Sequence, residues 1–166
     1  MWIASYYRSN ETRYPRRVLP LVVLIMRITL LILSAALTAC NAPAPETTVP
    51  GRWYTATQVE AGRPLYDTYC TQCHGADGSA TAEWRTPDAS GNYPPPPLNG
   101  SAHTWHHPLD VLTGTIADGG AAFGGVMPGF GAVVDEAERR AIVAYIQSWW
   151  SDDIYARWAE IEARSQ

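Results

Sequence analysis

The segment that decides the fold is Cys70-Thr71-Gln72-Cys73-His74, in which two cysteines are separated by two residues and followed directly by a histidine. This is the spacing of covalent c-type haem attachment. Two intervening residues let both sulfurs reach the vinyl groups on one edge of a porphyrin, and the adjacent histidine can then bind the iron. The segment therefore predicts one haem c, bonded to Cys70 and Cys73 and ligated by His74.

Two other uses of a cysteine pair are less consistent with the sequence. A thioredoxin-like redox pair is disfavoured by the histidine that follows and by the lack of a βαβ pattern. A zinc site would need two further ligands at metal spacing, and a second cysteine pair is absent. An exported domain would normally pair its cysteines in disulfides, but two thioether bonds to haem consume Cys70 and Cys73 and leave only Cys40.

Length and composition limit the function classes. The chain has 166 residues, enough for one ordinary domain. It holds 12 arginines, no lysine and 16 acids, and from Cys40 onward it holds 7 arginines and 15 acids, a net charge of −8. No nucleic-acid partner is expected, because phosphate contacts need clustered cations. Thirteen glycines and thirteen prolines favour a small, loop-rich fold over a long helical bundle, and scarce alternation of apolar residues argues against an all-β sandwich.

The N-terminus is predicted to be an export signal covering residues 1–39. Residues 18–39 are apolar except for Arg27, and basic residues precede them. As a transmembrane helix this run would be barely long enough and would carry a charge near its middle. The signal-peptide interpretation improves if Met26 is the true start, because Arg27 then forms the basic region and residues 28–39 the apolar region.

A lipid anchor is predicted at Cys40. Leu37-Thr38-Ala39-Cys40 resembles the lipobox of bacterial lipoproteins, in which the cysteine is lipidated and becomes the new N-terminus. The alternatives are an ordinary signal peptide or an uncleaved anchor with an incidental cysteine. Residues 40–57 are rich in Pro, Ala and Thr and are predicted to form a tether. The domain itself is predicted over residues 58–150, with a helical tail over residues 151–166.

The region around the motif resembles the class I c-type cytochromes over residues 58–150. Gly62 and Tyr66 match the glycine and aromatic that the family carries on the helix before the motif. Thr57 and Glu60 have capping-box spacing for the start of that helix. Pro64 predicts either a kink or a later start near Arg63.

The last helix of the resemblance is marked by Asp135 and Glu138, which have the spacing of a capping box. Apolar residues then recur at steps of three and four, namely Ala137, Ala141, Ile142, Tyr145, Ile146 and Trp149. The resemblance implies an all-α, small cytochrome c fold. In it the N- and C-terminal helices cross, with Gly62 and Tyr66 against Tyr145, and loops enclose the haem.

The resemblance also assigns the loop Pro94–Gly100 to the position beneath the axial histidine. On that match the Pro96 carbonyl accepts a hydrogen bond from the His74 ring, which sets the orientation and basicity of the imidazole. The alternatives are a rigid polyproline spacer or a ligand for another domain. Pro108 is predicted to open a short helix over Leu109–Ala117.

Met127 is the axial ligand that the resemblance implies opposite His74. It lies in a loop rich in Gly and Pro, 53 residues after His74, where class I cytochromes place their methionine. A thioether favours ferrous iron, so this ligation implies a raised potential. The competitors are three histidines that would give a low-potential site or hold a second metal, or that simply pack and bond the haem propionates: His103, His106 and His107.

Trp105 is predicted to pack over the haem or to donate its indole N–H to a propionate. Taken together, these residues predict a membrane-tethered, extracytoplasmic single-electron carrier that acts in the periplasm or on the outer face of the cytoplasmic membrane. It is not expected to be an enzyme or to have a small-molecule substrate, because His74 and Met127 fill both axial positions.

The expected partners are redox proteins, an oxidase or a dehydrogenase, with a basic docking patch that complements the acidic domain. Two alternatives stay open. One is a haem enzyme or sensor in which a small ligand displaces Met127. The other is a haem c subunit held permanently in an oxidase or dehydrogenase complex, with the tail at residues 151–166 as its interface.

Overall fold

A computed structural model describes residues 21–28 and 46–166, and the chain divides into two compact units, Met1–Pro45 and Glu46–Gln166. In the first unit, residues 21–28 are helical (α1). The rest of the predicted signal peptide and the predicted lipidation site, Cys40, lie outside the described residues. Within the described ranges, no helix has the length and apolar character needed to cross a bilayer.

The second unit is helical, and no strand occurs among residues 46–166, which confirms the all-α prediction. Isolated β-bridges join Thr48 to Thr55 and Tyr93 to Gly125. Its α-helices are α2 (Ala56–Tyr69), α3 (Thr71–His74), α4 (Leu109–Asp118), α5 (Glu136–Gln147) and α6 (Asp152–Ser165). Two short 3-10 helices, His103–His106 and Ala121–Phe123, lie in the loops on either side of α4.

Helix α2 begins two residues earlier than the sequence suggested. Its N-cap is Thr55, whose hydroxyl accepts from the N–H of Gln58 (3.1 Å), while the Gln58 side chain accepts from the Thr55 N–H (2.9 Å). The predicted cap at Thr57 is therefore wrong, because extended backbone at Thr55, bridged to Thr48, places the first helical turn before it. The helix continues through Pro64, so a start near Arg63 is also wrong.

The crossing of α2 and α5 forms the centre of the domain. The capping box of α5 at Asp135 and Glu138 is present as predicted. Gly62 abuts the backbone of α5, where any Cβ would clash with the carbonyl oxygen of Ala141. One turn later, Tyr66 is fully buried, with its ring 5.6 Å from that of Tyr145. The helices cross closely here because Gly62 has no side chain.

The segment before α2 corrects the predicted extent of the tether. Tyr54 is buried, and the indole of Trp53 donates to the Gln147 side chain (2.6 Å), while the Trp53 N–H donates to the Tyr155 hydroxyl (2.9 Å). Residues 46–55, here called the N-terminal arm, thus belong to the folded unit. Packing of the two aromatic side chains stabilises this segment in the fold, which its Pro- and Thr-rich composition does not predict.

The C-terminal tail forms α6 and covers the domain. Tyr155 and Trp158 are buried on its inner face, and the Trp158 indole donates to the His107 carbonyl (3.0 Å). The Tyr155 ring lies edge-on to Tyr54 of the N-terminal arm. The helix therefore packs on the arm and on the loop before α4.

Candidate haem-binding site

The motif Cys70–His74 spans the end of α2 and the single-turn helix α3. Cys70 ends α2, donating its N–H to the Tyr66 carbonyl (2.9 Å), and the His74 N–H donates back to the Cys70 carbonyl (2.9 Å). The next residue, Gly75, has φ of 78°, a conformation that L side chains rarely adopt, and it ends the helical turn. Cys70 and His74 are thereby held on one helical face, one turn apart.

The two sulfurs have different environments, and neither takes part in a disulfide in the described chain. Cys70 is buried, and burial raises the pKa of its thiol to about 11. Cys73 is exposed. A redox-active or metal-binding cysteine needs a lowered pKa to supply the thiolate. The environment of Cys70 therefore argues against a thioredoxin-like pair.

His74 is buried and oriented by one hydrogen bond. Its Nδ1 lies 2.9 Å from the carbonyl oxygen of Pro96, the partner that the resemblance implied. A carbonyl can only accept, so Nδ1 carries the proton and Nε2 keeps its lone pair. Burial lowers the pKa of His74, against the opposing effect of the Pro96 hydrogen bond. The imidazole is therefore neutral near pH 7, as a metal ligand must be.

The loop Pro94–Gly100 is held in place by hydrogen bonds to the two residues that follow Pro96. The Thr104 hydroxyl donates to the carbonyl of Pro97 (2.9 Å). The N–H of Leu98 donates to the Gly78 carbonyl (2.7 Å), and the carbonyl of Leu98 accepts from the Trp150 indole (2.8 Å). Because three elements hold this loop, the Pro96 carbonyl cannot easily turn away from His74.

Met127 lies in a loop folded back on the end of α4. Its carbonyl accepts from the Gly120 N–H (2.9 Å), and Gly119 approaches it so closely that a Cβ there would lie 2.6 Å from the same oxygen. The side chain is half-buried and packs against the hydrophobic core that also contains Cys70. The glycines thus allow the close backbone approach that places Met127 on this core.

The histidines next to the loop Pro94–Gly100, here called the proline loop, form an aromatic cluster. The His103 ring stacks on Trp84 with centroids 4.6 Å apart, and its other neighbour is the His107 ring at 5.3 Å. Burial lowers the pKa of His103 and of His107. The Nδ1 atom of His103 is buried without a hydrogen-bond partner in the described part of the chain. Across residues 21–28 and 46–166, no three His, Cys, Asp or Glu side chains are grouped to hold a metal ion.

Trp105 contributes to the same region. It is half-buried, packs against the core, and lies with its ring centroid 3.7 Å from that of His106. The guanidinium of Arg157, on α6, lies 5.9 Å from the Trp105 ring. Whether this ring covers a haem or bonds a propionate stays a prediction.

These donors fit a covalently bound haem. They comprise two cysteine sulfurs outside any disulfide and a buried neutral imidazole, next to a core that includes a methionine thioether. Thioethers and imidazole are the ligand types that hold haem iron, and the Nδ1 hydrogen bond is the usual support of a ligating histidine. The fit rests on this chemistry.

Residues 57–146, a little more than half of the chain, match the family model described as cytochrome c oxidase, cbb3-type, subunit III. The chain belongs to this family. It is a monohaem class I c-type cytochrome, with a covalently bound haem c and an electron-transfer role. No curated protein and no solved structure matches the chain.

The matched part of this cytochrome contains the motif, the proline loop and Met127, and it ends before Trp150 and α6. Sequence reasoning overlooked Trp150 and Thr104 as supports of the proline loop. Both are polar-tipped residues that the chain buries at the edge of the core. Their partners are backbone carbonyls 52 and 7 residues away, and no local sequence pattern identifies such pairs.

Proposed function

We propose that this cytochrome is an extracytoplasmic single-electron carrier, anchored to a membrane through a lipid on Cys40. Cys70 and Cys73 bond the haem covalently, and His74 and Met127 are its axial ligands. The haem iron supplies the one-electron change between ferric and ferrous states. The observation that supports this most directly is the buried His74 ring, held at Nδ1 by Pro96 with Nε2 left for the iron.

The chain's own residues set the conditions for electron transfer. Pro96 holds the proton of His74 at Nδ1, so the ring stays in the tautomer that can ligate through Nε2. Burial keeps water away from the imidazole and disfavours its protonated form. Met127 closes the second axial position with a soft neutral sulfur, which favours the ferrous state and leaves no site for a substrate. The proposal is therefore a carrier and not an enzyme.

The axial ligands are tested by replacing Met127. Met127→Ala should lower the midpoint potential strongly, because axial identity tunes haem potentials over about 0.8 V. The ferrous variant should also bind carbon monoxide, which the parent should not. Met127→His is the matched control, low in potential but closed to carbon monoxide. A parent that binds carbon monoxide readily at neutral pH would instead support a small-ligand-binding enzyme or sensor.

Haem attachment and the anchor are tested separately. Replacing both Cys70 and Cys73 by Ala should abolish haem staining on denaturing gels. Cys40→Ser should move the protein from the membrane to the soluble exported fraction. If membrane association persists, the apolar run at residues 18–39 is the anchor, and the lipid proposal is wrong.

A second candidate function is a permanent subunit of an oxidase complex. The family description, which names an oxidase subunit, favours this possibility. The alternative is that the cytochrome binds its redox partner only transiently. A basic docking patch on that partner would be attracted by the cytochrome's net charge of −8 from Cys40 onward. Gel filtration after mild solubilisation separates them, because a permanent subunit elutes with its complex at high salt and a transient partner does not.

A further inference from the structure

A cavity with an aromatic wall lies between the N-terminal arm and α6. Its volume is about 400 Å³. It is built by three aromatic and three charged side chains, namely Trp53, Tyr155, Trp158, Arg52, Arg140 and Glu162. None of the predicted haem ligands lines this cavity. It therefore belongs to a separate surface of the domain.

One cation at this cavity is available to an anion. Arg52 is ion-paired with Asp152 (2.6 Å), and the Glu162 carboxylate already accepts from the backbone N–H of Leu109 (2.7 Å). The Arg140 guanidinium has no carboxylate partner in the described residues and lies 5.0 Å from the centre of the Trp53 ring. A guanidinium with free donors suits a phosphate group, which it can bind with two parallel hydrogen bonds.

The short segment between the proposed lipid anchor and the folded unit limits how far the domain can lie from the membrane. Only residues 41–45 separate the proposed lipid anchor at Cys40 from Glu46, where the folded unit begins. Even fully extended, that length of chain spans about 20 Å. A domain of this size has a radius of gyration of about 14 Å, so its diameter exceeds the reach of the tether.

The point where the tether joins the domain is next to the cavity. The Glu46 carboxylate accepts from the Thr55 hydroxyl (3.2 Å), and the Val49 N–H donates to the carbonyl of Tyr54 (2.8 Å), so the arm folds back on itself. Trp53, on the cavity wall, is the residue before Tyr54. An anchored domain is therefore held with its cavity close to the membrane surface.

We propose that the face formed by Trp53, Arg140 and the end of α6 binds phospholipid headgroups, an inference that rests on the proposed anchor at Cys40. Arg140 contacts the headgroup phosphodiester, and the Trp53 ring lies at the level of the headgroups, where Trp and Tyr are enriched. The acidic domain has no general attraction to lipid, so the anchor supplies the local concentration for this contact. This face contains none of the predicted haem ligands, so lipid contact there does not cover them.

The test measures the protection of a cysteine placed on this face. Ala163 is exposed and lines the cavity, and Ala89 is an exposed loop residue that does not. Ala163→Cys and Ala89→Cys holoproteins, lipidated and bound to pure phosphatidylcholine vesicles, are treated with a polyethylene-glycol maleimide. The same variants carrying Cys40→Ser give the reaction rates in solution. In the loaded protein, haem occupies Cys70 and Cys73, so only the new thiol reacts.

Position 163 should react about tenfold more slowly on vesicles than in solution, in line with a charge-assisted hydrogen bond holding the face down. Position 89 should react equally in both. Adding Arg140→Gln to the anchored Ala163→Cys protein should restore the solution rate. If the protein floats with vesicles but position 163 reacts at the same rate on vesicles and in solution, the proposed face is wrong while the anchor stands. Equal protection of positions 163 and 89 leads to the same conclusion. Failure to float with vesicles overturns the anchor and this inference together.

Discussion

Gly62→Ala tests the crossing of α2 and α5 with a single added methyl group. The new Cβ would clash with the Ala141 carbonyl oxygen, which is backbone within a helix and cannot rotate away. Overpacking of this kind costs about 1–3 kcal/mol, and a backbone obstacle favours the upper value. Alanine is also the better helix former, which returns about 1 kcal/mol. The expected net loss is roughly 2 kcal/mol of unfolding free energy.

Gly114→Ala is the matched control. Gly114 lies inside α4, and a Cβ there meets no atom within 4 Å, so only the helix propensity changes. This variant should gain about 1 kcal/mol. For a domain of this size each kcal/mol moves Tm by roughly 4 °C, so Gly62→Ala should melt about 8 °C lower and Gly114→Ala a few degrees higher.

The assay is thermal unfolding of the haem-loaded proteins, followed by far-ultraviolet circular dichroism. The two substitutions are chemically identical, so the difference between them isolates the contact with α5. If Gly62→Ala melts at or above the parent, the close approach of the two helices is wrong. The predicted link between the glycine and the crossing would then be wrong with it.

Three further predictions concern the supports of the domain. Thr104→Val should cost about 1 kcal/mol in chemical denaturation, because the Pro97 carbonyl loses a buried donor; an unchanged midpoint would refute this contact. Trp53→Phe should cost about 1–3 kcal/mol because the buried Oε1 atom of Gln147 loses its donor, and adding Gln147→Met should recover most of the loss. Burial lowers the pKa of His103, so the unfolded chain takes up a proton more readily than the folded one. The free energy of unfolding should therefore fall as the pH drops from about 6.5, the pKa in the unfolded chain, toward the lower pKa of the folded state. His103→Gln should flatten that slope in pH-dependent melting, and an unaltered slope would contradict it.

The elements that sequence reasoning predicted well carry local signals. The motif at Cys70–His74 is specific because attachment chemistry demands its spacing. The capping box at Asp135 is local hydrogen bonding, and the structure contains it as predicted. Helix α4 was predicted over Leu109–Ala117 and spans Leu109–Asp118, because Pro108 suits the position before a first turn.

The elements that it missed depend on contacts between distant parts of the chain. Composition predicted a tether over residues 40–57, but Tyr54 is buried, and the half-buried Trp53 bonds Gln147 of α5 and Tyr155 of α6. Helix α2 has its N-cap at Thr55 and not at Thr57, because Thr48 of the N-terminal arm pairs with Thr55 and keeps its backbone extended. A prediction from composition averages over all residues of a segment, so it does not include the stabilisation that packing of two aromatic rings provides.

The chemistry of the site was readable from the order of residues along the chain, since a cysteine pair and its adjacent histidine act through covalent geometry and need no folded context. The state of that histidine was decided by the tertiary structure. Burial lowers the pKa of His74, and a carbonyl 22 residues away holds its proton at Nδ1. That carbonyl is held in turn by contacts from Thr104, Gly78 and Trp150 to its neighbours in the loop. Dielectric environment and hydrogen-bond direction are properties of the packed molecule, because they arise only when distant segments exclude water together.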